Sequence, residues 1–317
     1  MNSKARFNTE VVIRQNRPRR ALVTGATGFV GSHLSKRLVD ESWQTHVITR
    51  PESDVSILGN YRDRLSLHTY GGTTDEMIGI VSDANPDIVF HLASLFLAEH
   101  SSDDIVPMIR SNVVLGTQLV EAMSVVGSKA LVNTGTSWQH YKRDEYSPVC
   151  LYAATKEAFS DILKYYVEAK SLDVITLKLF DTYGPRDPRR KLFWLLRNAL
   201  REEEPLSMSE GRQLVDLVYI DDVVEAFICA GRHLLSGRTA GHEQFAVSSC
   251  NPIELREIVR IYEGVAGRRM NILWGGREYR NREVMIPWRD GKILPGWRYR
   301  TRLRDGIAKV LRDDRSE

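Results

Sequence analysis

The segment ALVTGATGFVGSHLSKRL, residues 21–38, leaves a chain few folds to choose from. Three apolar residues and a threonine, suited to a strand, run into glycines at 25, 28 and 31, and an amphipathic helical pattern follows at once. A strand that enters a helix through such a turn opens a parallel βαβ unit. Gly25 permits the tight turn, while Gly28 and Gly31 let the backbone approach a ligand closely. The helix start then offers unpaired amides and the positive end of its dipole, which suits a pyrophosphate. The candidate contacts are Gly25, Thr27, Gly28, Phe29 and Val30.

The rhythm of the first unit continues. Short apolar strands are expected at 21–24, 45–49, 66–70, 87–93, 130–135 and 174–180. Helical patterns fill the gaps at about 29–41, 75–84, 104–127 and 152–171. Strands alternating with helices predict an α/β chain with a Rossmann-type doubly wound parallel sheet, covered on both faces. After Phe180 the pattern changes to a turn-rich loop, a helix, a strand at 214–220 and a helix at 221–234. The remainder reads as irregular and rich in Arg, Trp and Gly. The expected division is an N-terminal extension at 1–18, a cofactor domain at 19–180 plus about 214–240, and a smaller substrate lobe at 181–213 plus about 241–317.

Composition narrows the function classes. With 42% hydrophobic and 27% charged residues, the 317-residue chain is ordinary for a soluble globular protein. A net charge of +3 gives no reason to expect nucleic acid. Arginine clusters at 17–20 and 298–304 read as solvated surface, although a phosphorylated small ligand could use one or two of them. Cys150, Cys229 and Cys250 lack metal-ligand spacing, which points to a reducing compartment and no bound metal. No apolar run reaches the ~18 residues of a membrane span, and residues 1–20 lack the apolar core of a secretory signal. The expectation is a cytoplasmic enzyme.

Two further positions suggest chemistry. VITR ends the second expected strand, which puts Arg50 where an adenosine ribose would lie. A carboxylate there would select NAD, whereas a guanidinium pairs with a 2′-phosphate. Arg50 therefore favours NADPH over NAD, the other reading being an exposed loop arginine. In LYAATKEAF, residues 151–159, Tyr152 and Lys156 fall on one face of a helix. A lysine ammonium would lower the tyrosine pKa from about 10 toward the range of a general acid. The same spacing recurs at Tyr166 and Lys170, so the pair alone does not identify a site.

In order along the chain come the glycine turn, HLAS (91–94), Asn112 in SNVVLGT, the Tyr152–Lys156 pair, YGP (183–185) and VYIDDVVEAF (218–227). Over about residues 20–310 the chain thereby resembles the extended short-chain dehydrogenase/reductase family. GTSWQHY, LYAATK, FDTYGP and LVYIDDVV are most similar to its nucleotide-sugar 4-ketoreductases, a group that includes CDP-abequose synthases and dTDP-4-keto-6-deoxyhexose reductases. The resemblance implies that Leu92, Ala93, Ser94 and Asn112 join the cofactor site. It implies Tyr152 as proton donor and Lys156 as the group that lowers its pKa and holds the nicotinamide ribose. Ser137 would orient the carbonyl, with Thr136 as the fallback. It also implies Ser94, Thr136, Gln139, Asp181, Thr182 and Arg212 as substrate contacts. Tyr152 starts its helix at the ligand edge of the sheet, whereas Tyr166 lies about 21 Å further along it.

The implied reaction is NADPH-dependent reduction of the 4-keto group of a nucleotide-diphospho-4-keto-6-deoxyhexose. The competing readings are a nucleotide-sugar epimerase with bound NAD and a non-catalytic NADPH-binding protein. Sugar 4,6-dehydratases of this family place Asp-Glu directly after the catalytic Thr; this chain has Trp138-Gln139, which argues against elimination. The family's adenine-binding aspartate falls near Gly72, with Thr73 or the backbone as stand-in. Asp181 replaces the usual Asn before YGP. Val215 replaces an arginine that meets the diphosphate, which leaves Arg212 or Arg298 to substitute. The family also implies a homodimer through the helices at about 104–127 and 152–171. Their apolar residues Val113, Val114, Leu119, Val120, Met123, Phe159, Ile162, Leu163 and Tyr166 exceed one stripe.

Overall fold

The structure is a computed structural model that describes residues 17–143 and 145–313. The expected extension at 1–18 therefore falls almost wholly outside the described residues. Six strands lie where the sequence places them: β1 (Arg20–Thr24), β2 (Gln44–Thr49), β3 (Leu65–Thr69), β4 (Ile88–His91), β5 (Ala130–Thr136) and β6 (Asp173–Leu179). A seventh strand, His242–Val247, pairs in parallel with β6. The sheet order is thus His242–Val247, β6, β5, β4, β1, β2, β3. Winding reverses between β1 and β4, so the ligand crevice of such a sheet opens at their carboxyl ends.

Helices cover both faces, which explains why the strands are apolar throughout. Leu22, Val23, Val89, Phe90, Leu131 and Val132 have no solvent exposure. On one face Leu34 and Leu38 of the Phe29–Asp40 helix pack with Val223 and Phe227 of the Ile220–Leu235 helix. On the other, Met77, Leu119, Met123, Phe159 and Leu163 form a second layer. Each such side chain contributes about 1.5–3 kcal/mol on burial. Among the described residues no helix is long and apolar enough to cross a membrane.

Several expectations need correction. The helix expected over 104–127 is interrupted: Ile105–Ile109 and Leu115–Val126 are joined through a π turn, Arg110–Val114, that carries the buried Asn112. The strand expected at 214–220 is two pieces. Leu214–Val215 pairs with Ile253–Glu254 and Leu217–Tyr219 with Asp181–Tyr183, in separate two-stranded sheets. The break is Asp216, whose buried carboxylate accepts from Ser248 Oγ at 2.5 Å and the Ser249 amide at 2.9 Å. The supposedly irregular remainder holds helices Leu255–Ala266 and Leu303–Asp313. Residues 242–247, assigned above to the substrate lobe, complete the main sheet.

The proposed interface residues also change. Leu119, Val120, Met123, Phe159, Leu163 and Tyr166 are buried beneath this chain's own sheet and form no surplus stripe. Of the expected residues Val114 is exposed, and the other exposed apolar residues of these helices are Ile105, Val106, Ile109, Val125 and Tyr165.

Candidate active site

The glycine turn is shaped for close approach. Gly25 has φ +73, and a Cβ there would stand 2.6 Å from the Ala93 amide nitrogen. A Cβ on Gly31 would lie 2.0 Å from the Gly25 carbonyl oxygen. The Phe29–Asp40 helix starts at Gly28 with no side-chain cap and no acidic residue in its first turn. Its first amides therefore remain available for an anion. Thr27 and Val30 flank this start half-buried, whereas the Phe29 ring is buried, so only its backbone can face a ligand. Leu92 and Ala93 lie against the turn through their amides, which both donate to Thr24 Oγ1 at 3.2 Å. Bare amides, steric room and the adjacent β4 loop fit the pyrophosphate of a dinucleotide.

Arg50 stands just past the end of β2, 68% exposed in its side chain and 3.2 Å from Glu52. Such an exposed pair is weak and readily exchanged for a phosphate partner. Gly72 and Thr73 provide less than expected. The Thr73 hydroxyl accepts from the Glu76 amide as a helix cap, and the Gly72 carbonyl accepts from Gln118.

Tyr152 and Lys156 occupy the first turns of the Leu151–Lys170 helix, both buried. Burial pushes the Tyr152 pKa up from its ordinary value, opposed by a hydrogen bond with Ser94 and by the charge of Arg189. Burial also draws Lys156 down to about 8. The expected lowering of Tyr152 by Lys156 is therefore not seen: the ammonium lies 5.9 Å from the ring centroid and is itself poorly solvated. Lys156 favours a phenolate only while it is protonated. His91, buried and near Lys156, is held neutral, with its pKa lowered to about 3.

Asn112, expected at the cofactor, is committed to the protein. Its Oδ1 accepts from the Leu95 amide, and Nδ2 donates to the Leu95 carbonyl and to Thr155 Oγ1. Thr155 in turn donates to the Tyr152 carbonyl at 2.7 Å. Asn112 and Thr155 thus join the Ser94 loop to the turn that carries Tyr152. The sequence reading missed Thr155, although its place inside the YxxxK spacing was the available signal.

A cavity of about 390 Å³ adjoins Phe96, whose ring meets Tyr152, but neither Tyr152 nor Lys156 lines it. Ser137, Asp181 and Thr182 line it, and so does Val215, where the family's arginine is absent. Phe96 forms the wall next to Tyr152, meeting its ring edge-on at 4.9 Å. Thr136 is not a substrate contact here, because its hydroxyl caps the 137–139 turn by accepting from the Trp138 amide. Gln139 is also corrected: it is fully buried, with Oε1 on the Thr136 amide and Nε2 donating to Glu157. Arg212 pairs with Glu210, is 72% exposed and lies off the cavity wall, as does exposed Arg298.

The cavity's cations come from elsewhere. Arg189, Arg190, Lys191, Arg277 and Arg280 line it, none of them named from the sequence. Arg280 is forked onto Glu283 at 3.0 Å and lies 5.4 Å over Trp138. Lys191 lies 4.4 Å over Phe96 and 3.9 Å from Asp181, and burial lowers its pKa. Trp288 lines the same space, backed by His140 in a 3.9 Å stack. Cations with aromatic walls suit a phosphorylated ligand that carries rings.

Comparison with known proteins agrees with this geometry. CDP-abequose synthase of Salmonella muenchen is 27% identical over 296 residues, which span 92% of this chain and 97% of that protein. UDP-glucose 4-epimerase of Mycolicibacterium smegmatis is 26% identical over 319 residues, covering 92% and 97%. Among solved structures, MoeE5 in complex with UDP-glucuronic acid and NAD superposes with a TM-score of 0.76 at 26% identity, covering 94% of this chain and 99% of that one. A family model described as NAD dependent epimerase/dehydratase matches residues 21–244. The chain belongs to the NAD dependent epimerase/dehydratase family and is an enzyme of the extended short-chain dehydrogenase/reductase type.

Proposed function

We propose that this enzyme reduces the 4-keto group of a nucleotide-diphospho-4-keto-6-deoxyhexose with NADPH. The observation that carries the reading is the wall around Ser137. Trp138 and Gln139 hold the two positions where elimination would need carboxylates; Trp138 lines the cavity with Phe96, and Gln139 is locked inside the fold. Gly25, Gly28 and the free amides at 29–30 would hold the dinucleotide, with Arg50 on its 2′-phosphate. Once bound, that cofactor supplies the hydride. Ser137 orients the carbonyl oxygen, and Tyr152 gives it a proton. Lys156, protonated near neutral pH, stabilises the phenolate left behind. Arg280 and Lys191 face the diphosphate in place of Arg212. The division into a cofactor domain and a nucleotide-sugar lobe follows from this arrangement. Incubation with CDP- and dTDP-4-keto-6-deoxyglucose and either nicotinamide cofactor tests the reading; no oxidation of NADPH or NADH with any such ketone would end it.

A nucleotide-sugar epimerase with retained NAD is the second reading, favoured by the 26% identical epimerase and by the NAD in MoeE5. Arg50 separates the two. A charge-assisted contact contributes ~1.5–3 kcal/mol, so NADPH should bind at least several-fold more tightly than NADH. Arg50→Ala should erase that preference. Equal Kd values for the two cofactors in the unaltered protein would remove the case for NADPH.

A homodimer belongs to the same proposal. Ile105, Val106, Ile109, Val114 and Tyr165 leave apolar surface exposed on the helices beside the site. Val106, 56% exposed, is the informative position, because Leu163 lies in the core. Sedimentation at micromolar concentration should give a dimer mass, and Val106→Glu should halve it. A monomer before substitution rules the dimer out.

A further inference from the structure

Arg189 lies where three parts of the molecule meet. Its guanidinium carbon sits 4.6 Å over the ring of Phe29, the residue that opens the Phe29–Asp40 helix. Nη2 donates to the Thr182 carbonyl at 2.8 Å. Nε and Nη2 together grip both oxygens of Asp187, each at 2.7 Å. The same side chain lines the cavity beside Thr182 and Lys191. Gly184 makes the close fit possible, since a Cβ there would stand 2.4 Å from Ile220 and 3.3 Å from the Phe29 ring.

These contacts have a mechanical meaning. The amide of Phe29 belongs to the anion seat at the helix start, while its ring is the face on which Arg189 stacks. A planar guanidinium that stacks on one side and makes a fork on its edge has little freedom left. A shift or stiffening of the helix start therefore reaches Thr182 and Asp187 directly, and both of these residues line the substrate cavity. Asp187 offsets the charge of Arg189, which makes the arginine a strut more than a free phosphate ligand. Its field still reaches Tyr152, where it opposes the rise caused by burial.

We infer that Arg189 is a positioning residue that couples the two ligands, so that a dinucleotide seated on the glycine turn tightens the cavity around a nucleoside diphosphate. The inference rests on the reading given under Proposed function. Coupling of this kind is reciprocal: each ligand must strengthen the other by the same factor.

Calorimetry with CDP, dTDP and UDP, each with and without saturating NADP+ or NAD+, tests it. The cofactor should tighten the best-bound diphosphate by about tenfold, within the 5–150-fold usual for such coupling. In Arg189→Leu each ligand should still bind alone, but the enhancement should fall to about twofold or less. Phe29→Leu, which removes the ring and keeps the core apolar, should shrink it likewise, and Arg189→Lys should retain part of it. A merely structural role would weaken both affinities and leave their ratio intact. Unaltered protein that binds both ligands without mutual enhancement overturns the coupling, as does full enhancement in Arg189→Leu. If Arg189→Leu does not fold, Phe29→Leu and Arg189→Lys decide the matter by the same ratio. No diphosphate binding by the unaltered protein would instead defeat the nucleotide-sugar reading, and the coupling with it.

Discussion

Tyr152→Phe should lower turnover by about 10²–10⁴, the range for loss of a general acid. The variant keeps the ring against Phe96 and loses only the hydroxyl that bonds Ser94. Tyr166→Phe is the matched control. Its hydroxyl donates to Glu121 at 2.9 Å at the far end of the same helix, and its loss should leave turnover almost unchanged. Steady-state kcat with the accepted ketone measures both. Equal losses in the two variants would mean that the wrong tyrosine has been assigned.

Lys156→Met should separate activity from stability. Turnover should fall at least a hundredfold, because the phenolate loses its cation. Stability should move the other way. The folded pKa of Lys156 is about 8, below the ~10.4 of an unfolded lysine. Between those values the unfolded chain holds more protons, so stability rises with pH across that window. Below pH 8 the penalty for burying the ammonium is present in full. Replacing Lys156 by Met should therefore stabilise the cofactor-free protein at pH 7, on the order of 2 kcal/mol, and flatten the rise between pH 8 and 10. Urea unfolding at three pH values reads both effects. A variant less stable than its parent at pH 7 would show that Lys156 is well solvated or paired.

How legible the site was depended on how local its cause is. Gly31 could be read because the clash it avoids is with the Gly25 backbone six residues away, and Gly25 because the turn itself demands its positive φ. Tyr152 and Lys156 could be read because four residues make one helical turn. Gln139 could not: a polar residue beside Ser137 looks like a substrate contact until the cap at Thr136 claims its amide. Arg189, Lys191, Arg280 and Trp288 converge on one cavity from two stretches about 90 residues apart, and no spacing links them. Leu163 was misjudged because helical periodicity counts apolar positions without saying which of them face the sheet. The fold itself was more legible. Of the main sheet only the seventh strand escaped, as HEQFAV mixes polar and apolar residues in the manner of an edge strand, with its first half only partly covered.

That last strand has a practical consequence for anyone who would build hybrids. The chain leaves the main sheet after β6, makes most of the cavity wall and returns at residue 242 to close the sheet's outer edge. A chain that ends anywhere between 180 and 242 therefore lacks the neighbour of β6 and leaves a row of unpaired amides and carbonyls open to other chains. Swapping the cavity-lining half of this chain with that of a relative needs at least two crossovers if His242–Val247 is to stay on the side of β6. A single-junction chimera instead pairs β6 with the other parent's edge strand, and should be less stable than either parent.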